Sequence, residues 1–498
     1  MRIFDTLRAR KAVLEPEVPG HIRLYVCGPT VYDNAHLGHA RAYVVYDVLV
    51  RHLRSTGLKV TYVRNVTDID DKIVKRALEN KEDPTTLAAR FYRAYEEDMT
   101  RLGNIKPDQE PKVSEHLSDI IALISRLIDN GSAYVAAGDV YFHVPSCAAY
   151  GKLSHRKQED NIAGASGRLE DSEAQRKRHP ADFALWKGAS PSEPNWSSPW
   201  GPGRPGWHIE CSAMSMKHLG ESFDLHGGGL DLVFPHHENE IAQSECATGK
   251  TFSRYWMHNG FVQVNKEKMS KSLGNFFTAR ETFRLVEPEA IRYSLLTTHY
   301  RAPYNLEWES AGDSVIFPQF EIAEGRLEYF YRALERFHSI PPGRISKTGP
   351  AAPAALTDLS KELNAALDDD LDTPKALAHT SDFLHALNDL CDRAHAKGGS
   401  IPEPWVIAAR AGIAALASVL GLGADDPAAF LSRVRDRRAL SRGIDPAHVA
   451  AQITARAEAR KAKDFAQSDA IRDELLRRGV EILDTPGGTS WRLGVGAS

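Results

Sequence analysis

The chain has 498 residues, enough for about three domains of ~100–200 residues each. Charged residues make up 26% of it and hydrophobic residues 42%, as in an ordinary globular protein. Its 62 Lys and Arg against 66 Asp and Glu give a net charge of −4. This balance excludes a protein that binds nucleic acid through overall basicity, but not one with a local basic patch.

The five cysteines are scattered and form no C-x-x-C pair, which argues against a disulfide framework. A reducing compartment fits them better, so we expect a cytoplasmic protein. The amino terminus has no apolar signal-peptide segment, and no apolar run approaches the ~18 residues of a membrane span. We therefore expect no membrane partner.

The first predicted elements form a βαβ unit. Residues 24–29 are typical of a short buried strand, residues 43–53 of a helix, and residues 59–66 of a second, β-branched strand. This order predicts a parallel sheet. Ligands of such sheets bind at the carboxyl ends of the strands, beside helix N-termini.

The pattern changes between about residues 110 and 205, which we interpret as an insertion into the sheet domain. It contains a predicted helix over 113–128, a hairpin of 133–135 and 140–144, a polar stretch over 159–180 and a Pro/Gly/Ser-rich loop over 189–206.

The C-terminal half is mostly helical. A sheet-like pattern runs from about 223 to 305, and helical patterns dominate 310–425, with a linker at 341–353 and a break at 398–404. The tail has its own pattern: one charged helix over 448–478, then 480–483, a Pro-Gly-Gly turn at 486–488, and 490–493. It predicts a helix followed by a two-stranded hairpin.

The first candidate motif is His36-Leu-Gly-His39, between the first strand and its helix. Two imidazoles three residues apart share a helix face, and at a helix N-terminus they could hydrogen-bond phosphate oxygens as charge develops. Two surface histidines that merely cap a helix are the alternative.

The second candidate motif is Lys268-Met-Ser-Lys271-Ser272, followed by Leu-Gly-Asn. Two lysines in a Ser/Gly loop could neutralise a polyphosphate, and a solvated loop is the alternative. The two motifs, in this order and about 230 residues apart, resemble the paired signatures of the class I aminoacyl-tRNA synthetases.

A third group of residues has the chemistry of a zinc site. His236 and Glu240 are four residues apart and would point the same way on one helix. With Cys27 and Cys211 they make a donor set that suits Zn²⁺. His237 is a rival ligand by spacing, and the two cysteines could instead be buried apolar residues.

Several segments resemble the cysteinyl-tRNA synthetases: residues 27–41, 65–72, 206–215, 226–240, 463–472 and 485–492, besides the second signature. The resemblance implies an α/β fold: a Rossmann-like parallel-sheet catalytic domain with an insertion, a helical bundle domain and a small mixed α/β anticodon-binding domain. The expected bounds are 1–110 with 205–305 for the catalytic domain, 111–204 for the connective insertion, 306–430 for the helical domain and 431–498 for the anticodon-binding module.

The resemblance also implies the activity. L-Cysteine and ATP would give cysteinyl-adenylate and pyrophosphate, and the cysteine would then pass to the 3′-terminal ribose of tRNA(Cys). The implied site residues are His36, His39, Lys268 and Lys271 for catalysis and ATP with Mg²⁺, Gly227, Gly228 and Asp231 near the adenosine, Thr67 and Trp207 in the amino-acid pocket, and Cys27, Cys211, His236 and Glu240 for one Zn²⁺, with His237 behind them.

The tail is mildly basic, with 13 Lys and Arg against 9 Asp and Glu in residues 431–498. Basic residues and aromatic rings such as Phe465 suit RNA, although a solvated helix with Trp491 in the hairpin core would look similar. By resemblance, the anticodon would meet Arg460, Asp469, Asp484 and Trp491, and the acceptor stem would meet Arg168, Lys177, Arg178 and residues 182–187.

Two other functions remain as alternatives. A tRNA-independent ligase would transfer cysteine to an amino-sugar, but such proteins lack the C-terminal module that is present here. A zinc-containing RNA-binding paralogue would have broken signatures, whereas His36, His39, Lys268 and Lys271 are all present. By resemblance we expect a monomer.

Overall fold

The computed structural model of the chain describes residues 1–156, 175–189, 193–268, 275–311, 314–485 and 488–493. Its central sheet has four parallel strands, β3 (His21–Val26), β4 (Lys59–Arg64), β9 (Phe223–Gly229) and β10 (Ser253–Asn259). Their order across the sheet is β10-β9-β3-β4. Helix α1 (Leu37–Ser55) connects β3 to β4, which confirms the predicted βαβ unit.

Alternation along β3 gives the sheet two buried faces. Leu24 and Val26 pack in the core on the α1 side, whereas Tyr25 and Cys27 belong to the core on the opposite face. Successive strand residues point to opposite faces, so the sequence of β3 itself directs Cys27 away from α1. Both faces are covered, as parallel sheets require.

The remaining elements of this part of the chain surround the sheet. They are β1 (Arg2–Asp5), β2 (Arg10–Val13), α2 (Asp71–Asn80), α3 (Pro84–Arg101), α5 (Trp207–Leu219), α6 (Glu238–Thr248), α7 (Ala279–Thr282), α8 (Pro288–Leu296), β11 (Val262–Val264), β12 (Glu267–Lys268) and β13 (Tyr304–Leu306).

The inserted segment folds around a four-stranded antiparallel sheet. Its elements are α4 (Leu117–Asp129), β5 (Ala133–Ala136), β6 (Asp139–Phe142), β7 (Phe183–Gly188) and β8 (Gly203–Pro205). The strands lie in the order β5-β6-β7-β8. Strands β5 and β6 form the predicted hairpin. The predicted helix starts as a 3₁₀ turn over Val113–Glu115 before α4. Most of the polar stretch over 159–180 lies outside the described residues.

Helices then form a bundle that shares one core with the α1 face of the sheet. Its elements are α9 (Pro318–His338), α10 (Ala354–Thr357), α11 (Leu359–Leu367), α12 (Thr373–His395), α13 (Glu403–Ala415) and α14 (Pro427–Ser441), with short strands β14 (Glu309–Ala311), β15 (Ser314–Ile316), β16 (Ile345–Ser346) and β17 (Ile401–Pro402). The predicted linker and break are not independent loops, because β16 and β17 pair with each other in parallel.

Among the described residues, one helical segment is long and apolar enough to cross a membrane. It is Glu403–Leu420, with a mean hydropathy of 1.3, and the expectation from sequence that no run approaches this length missed it. Val406, Ala409 and Leu416 of this segment are buried in the shared core. A core helix of this kind passes the same length and composition test.

The tail forms two helices and a hairpin, so the prediction of a single helix over 448–478 is wrong. The helices are α15 (Pro446–Lys461) and α16 (Phe465–Arg477), and the hairpin is β18 (Val480–Thr485) with β19 (Gly488–Leu493). Lys463 breaks the helix at a left-handed φ of 64°, and Asp464 caps the next one by accepting from the Gln467 amide.

Candidate active site

The carboxyl ends of three neighbouring strands carry the candidate site. Cys27 follows β3, Thr67 follows β4, and Gly227 lies near the end of β9. The Cys27 amide donates to the Gly227 carbonyl at 3.1 Å, and the Val31 amide donates to the Thr67 carbonyl at 3.2 Å. This is the sheet edge where the sequence pattern predicts ligands to bind.

Four predicted zinc ligands meet at this edge. Cys27 Sγ lies 3.9 Å from Cys211 Sγ and 3.6 Å from Glu240 Oε1. His236 Nε2 lies 3.0 Å from the same carboxylate oxygen. None of the four side chains belongs to a residue more than 7% exposed.

These spacings fit a zinc ion. A tetrahedral ion with ligands at about 2.0–2.3 Å places its ligand atoms about 3.3–3.8 Å from one another. The measured separations of 3.0–3.9 Å bracket that range. Sulfur, imidazole and carboxylate are also the donor types that zinc takes in proteins.

A fifth donor stands close enough to compete. His237 Nε2 is 3.3 Å from Cys27 Sγ and 3.9 Å from Glu240 Oε1. One ligand atom from each of Cys27, His236, His237 and Glu240 lies within 4.8 Å of all the others. The geometry therefore admits either Cys211 or His237 as the fourth donor.

Neighbouring histidines orient two of the donor groups. His226 Nε2 contacts Glu240 Oε2 at 2.9 Å, which leaves Oε1 facing the other donors. His208 Nδ1 contacts His236 Nδ1 at 2.9 Å, which leaves Nε2 for a ligand. Hydrogen bonds of this type fix the tautomer and direction of metal ligands.

A similar chain of contacts supports the competing histidine. His237 Nδ1 contacts His258 Nε2 at 2.8 Å, and His258 Nδ1 contacts Thr6 Oγ1 at 2.7 Å. Burial and the neighbouring His226 lower the pKa of His258 to about 3, so this ring is neutral. Neither His258 nor Thr6 stands in a segment that the metal pattern of the sequence singled out.

The electrostatics of the donors favour a cation. Burial would lower the pKa of His236, but the Glu240 carboxylate outweighs it and raises that pKa to about 10. A hydrogen bond from Cys27 lowers the pKa of Cys211 to about 6, against the effect of burial. Burial and the neighbouring Cys211 raise the pKa of Cys27 well above its ordinary value. A divalent cation stabilises the deprotonated form of all these groups.

The first signature stands at the start of α1. His36 is the N-cap residue and accepts from the Gly38 amide at Nδ1, while His39 Nδ1 accepts from the His36 amide at 3.3 Å. The two rings stack with centroids 3.9 Å apart. Since each Nδ1 is an acceptor, each Nε2 carries the proton and is a donor. Burial and His36 lower the pKa of His39 well below its ordinary value.

Backbone hydrogen bonds join the segment after the second signature to the start of the first. The Leu37 amide donates to the Phe277 carbonyl at 3.2 Å, and the Ala279 amide donates to the Ala35 carbonyl at 2.8 Å. The backbone of Lys268 ends β12, which pairs with β11. Lys271 and the side chain of Lys268 lie outside the described residues. Residues 277–279, which follow the second signature in sequence, are thus joined by hydrogen bonds to the start of the first.

The predicted adenosine segment contains glycines that close packing requires. A Cβ at Gly227 would lie 2.4 Å from the Tyr46 ring, and one at Gly228 would lie 2.7 Å from the His237 ring. Tyr46 also donates to the Met257 carbonyl at 2.7 Å. Asp231 is exposed in the 3₁₀ turn Leu230–Leu232 that follows β9.

The predicted amino-acid pocket lies beside the metal cluster. Thr67 is buried and accepts from Asn65 Nδ2 at 3.2 Å. Trp207 is the first residue of α5, and its ring lies 4.3 Å from the His236 ring. Glu210, which the sequence patterns did not identify, follows Trp207 in the first turn of α5 and accepts a hydrogen bond from Thr67 Oγ1 at 3.4 Å. Burial and the adjacent Cys211 raise the pKa of its carboxyl well above the ordinary value.

The tail residues are placed differently from one another. Asp484 accepts from Arg456 at 2.9 and 2.8 Å and from Arg460 at 3.1 Å, and Asp469 is exposed. Trp491 is 8% exposed, with the Arg435 guanidinium 4.2 Å from its ring centroid. Its ring fills the hairpin core, as the alternative interpretation holds, and is not available to stack on a base.

Lys177 and Arg178 lie in the turn segment before β7, residues 183–187 lie in β7 itself, and Arg168 is outside the described residues. Arg178 is exposed and lies 4.1 Å from the Tyr134 ring, and Lys177 is half-buried. Asp182 is buried and accepts from Tyr134 Oη at 2.8 Å and from the Val144 amide at 2.9 Å, so it holds the insertion together.

Two families match this chain. Residues 13–314 match the family described as tRNA synthetases class I (C) catalytic domain, and residues 446–492 match the cysteinyl-tRNA ligase anticodon binding domain. A cysteine–tRNA ligase of Anaeromyxobacter sp. (strain K) is 53% identical over 501 residues, covering 99% of both chains. One of Alkalilimnicola ehrlichii is 50% identical over 493 residues, with the same coverage.

Solved structures share the fold at low identity. A Mycobacterium tuberculosis methionyl-tRNA synthetase in complex with methionyl-adenylate is similar with a TM-score of 0.58 and 16% identity, over 83% of this chain and 94% of that one. A LeuRS–tRNA–LeuAMS complex from Agrobacterium radiobacter has a TM-score of 0.56 and 13% identity, over 84% and 86%.

Proposed function

The chain belongs to the cysteinyl-tRNA synthetase family and is a cysteine–tRNA ligase, and from this premise we propose how its residues divide the work. The tight cluster around Cys27 at the sheet edge carries the proposal. The ring of Trp207 lies 4.3 Å from that of His236 in this cluster, which supports an amino-acid pocket where a bound metal would meet the substrate's sulfur.

Cys27, Cys211, His236 and Glu240 would hold one zinc ion. Zinc bound there supplies a Lewis acid that prefers a thiolate to a hydroxyl, whereas an apolar pocket separates such analogues by only ~1–3 kcal/mol. We propose Cys211 rather than His237 as the fourth ligand, because its sulfur lies 3.9 Å from Cys27 Sγ and a thiolate is the softer donor for zinc.

Two pairs of residues would serve the reaction of the cysteine carboxylate with the α-phosphate of ATP. His36 and His39 would donate from Nε2 to phosphate oxygens as negative charge develops. Lys268 and Lys271 would neutralise the β- and γ-phosphates with Mg²⁺. Pyrophosphate leaves, and the ribose hydroxyl of tRNA(Cys) would then attack the carbonyl of the adenylate, form the ester bond and displace AMP. Gly227, Gly228 and Asp231 would lie near the adenosine.

The tRNA would contact both ends of the molecule. Arg460, Asp469 and Asp484 would face the anticodon, with Trp491 holding the hairpin from inside. Lys177 and Arg178 would face the acceptor stem. We also propose a cytoplasmic monomer, which the five free cysteines support as far as the compartment is concerned.

Cysteine-dependent exchange between ATP and pyrophosphate tests the first step. We expect exchange with L-cysteine and none with L-serine, followed by transfer of labelled cysteine to tRNA(Cys). Transfer to a small amine but not to tRNA would favour the tRNA-independent ligase. An absence of cysteine-dependent exchange in folded, zinc-loaded protein would contradict the proposal.

A further inference from the structure

Glu210 is a buried carboxyl without a protein cation. It lies in the first turn of α5, between Trp207 and Cys211, and is 1% exposed. Among the described residues, one hydrogen bond reaches its side chain, from Thr67 Oγ1 at a long 3.4 Å. Across the described part of the chain, no Lys, Arg or His nitrogen forms an ion pair with it. A buried carboxylate in this state is costly unless something else pairs with it.

Two other carboxylates make the same corner acidic. Asp68 and Asp70 both act electrostatically on Glu210. Each of them has a structural task, because Asp68 accepts from Ser114 and Asp70 caps α2 by accepting from the Lys72 amide at 2.7 Å. Glu210 caps no helix and holds no loop. The electrostatic field of this corner favours a positive group.

The position of Glu210 indicates which positive group that is. Its partner Thr67 is held to Asn65, and Asn65 Oδ1 accepts from the Gly28 amide next to Cys27. Glu210 is also the sequence neighbour of Cys211. It therefore lies within the predicted amino-acid pocket, on the Thr67 side of the sulfur-binding cluster. The substrate brings one cation there, its α-ammonium group.

We propose that Glu210 recognises the α-ammonium group of L-cysteine, with Thr67 beside it. The inference rests on the proposed amino-acid pocket and deepens it. A sulfur-binding centre selects a thiol but does not distinguish cysteine from thiols whose α-amino group is missing or acylated. A buried carboxylate rejects such compounds, because they would leave it without a partner.

The test compares two thiols that differ in this one group. L-Cysteine carries the ammonium, and 3-mercaptopropionate lacks it but keeps the thiol and the carboxylate. Dissociation constants are measured for the zinc-loaded protein and for E210Q. We expect the wild type to prefer cysteine by at least about 100-fold, and E210Q to lose about 10- to 100-fold of that preference.

A matched control separates this role from general effects of removing a buried acid. Glu289 on α8 accepts from Tyr331 Oη and, at 2.7 Å, from the Gly423 amide, both of which belong to the helical bundle. E289Q is expected to keep the wild-type preference. E210Q is also expected to keep its zinc content and to raise KM for cysteine more than it lowers kcat, which a merely structural role next to Cys211 would not produce.

Two outcomes would overturn the inference: E210Q binds both thiols with the wild-type preference, or it weakens both equally. If E210Q does not fold, the same two dissociation constants are measured for E210D and the wild type, and their preference for cysteine tests the proposal. A wild-type preference near one overturns the proposal, and a strong preference that E210D retains supports it. Binding is measured without ATP, so a failure of cysteine-dependent exchange in the wild type would count against the proposed function alone.

Discussion

The thiols of Cys27 and Cys211 lie 3.9 Å apart, although 184 residues separate them in the chain. One follows the central strand β3 and the other lies in the first turns of α5. No disulfide joins them, and both are buried. Two thiols held this close beside an imidazole and a carboxylate form a donor set that could hold a metal ion, as the proposed function requires.

The first prediction concerns the metal and its sulfur ligand. Cys27→Ser replaces a soft sulfur donor by a poor oxygen donor, so we expect zinc content and cysteine-dependent exchange to fall together, exchange by about 100-fold or more. Zinc is measured by elemental analysis of the purified protein. Cys391→Ser is the control, since Cys391 is equally buried but lies in the helical bundle. Full activity of the Cys27→Ser protein without zinc would contradict the assignment.

The second prediction concerns the histidine that orients Glu240. His226→Phe keeps a ring against Trp256, where the two centroids are 4.5 Å apart, but removes the contact to Glu240 Oε2. Zinc affinity is expected to fall about 10- to 100-fold, as measured by competition with a chelator. His52→Phe, which breaks a contact to Asp368 away from the site, is expected to leave affinity unchanged. Unchanged affinity in His226→Phe would show that Glu240 does not need this partner.

The third prediction separates phosphate chemistry from amino-acid binding. Lys271→Ala removes a charge that would stabilise the departing pyrophosphate, so we expect exchange to slow by about 10²- to 10³-fold. The dissociation constant for cysteine is expected to change by less than about threefold, because the lysine acts on the nucleotide. Lys266→Ala removes an exposed charge close by in sequence and serves as the control. Equal losses in exchange and in cysteine binding would contradict the assignment.

Local patterns predicted much of the fold. The buried run in residues 24–29, the helical spacing in 43–53 and the β-branched run in 59–66 predicted the βαβ unit, and the structure confirms it with a parallel sheet. The division of the predicted tail helix into two was missed because the break depends on one left-handed residue, Lys463, and lysine carries no turn signal. The kink at Phe234, just before α6, could not be predicted either.

The site shows the same division between local and tertiary information. Spacing could pair His236 with Glu240, because the two are close in sequence. It could not pair Glu240 with His226 or His237 with His258, because those contacts depend on how β9 and β10 pack. Gly28 is explained only by the structure, since a Cβ there would lie 1.5 Å from the Asn65 carbonyl oxygen. Contacts between residues on different strands depend on tertiary packing, so the spacing of residues in one sequence does not predict them.

The last prediction distinguishes two arginines of the tail that share Asp484. Arg456 is nearly buried and makes two hydrogen bonds to this carboxylate, whereas Arg460 is half-exposed and makes one. Arg456→Ala would leave Asp484 without its main partner, so we expect residues 446–493 to lose protection from hydrogen exchange. Arg460→Ala keeps the bidentate pair and is expected to keep that protection.

The two variants should also differ in tRNA binding. Arg460→Ala removes an exposed cation, so we expect weaker tRNA(Cys) binding and a salt dependence reduced by about one unit of slope. Cysteine-dependent exchange, which needs no tRNA, is expected to stay at the wild-type rate. Binding is measured by filter retention across a series of salt concentrations. A salt slope equal to that of the wild type would place Arg460 outside the tRNA interface and make it a structural partner of Asp484.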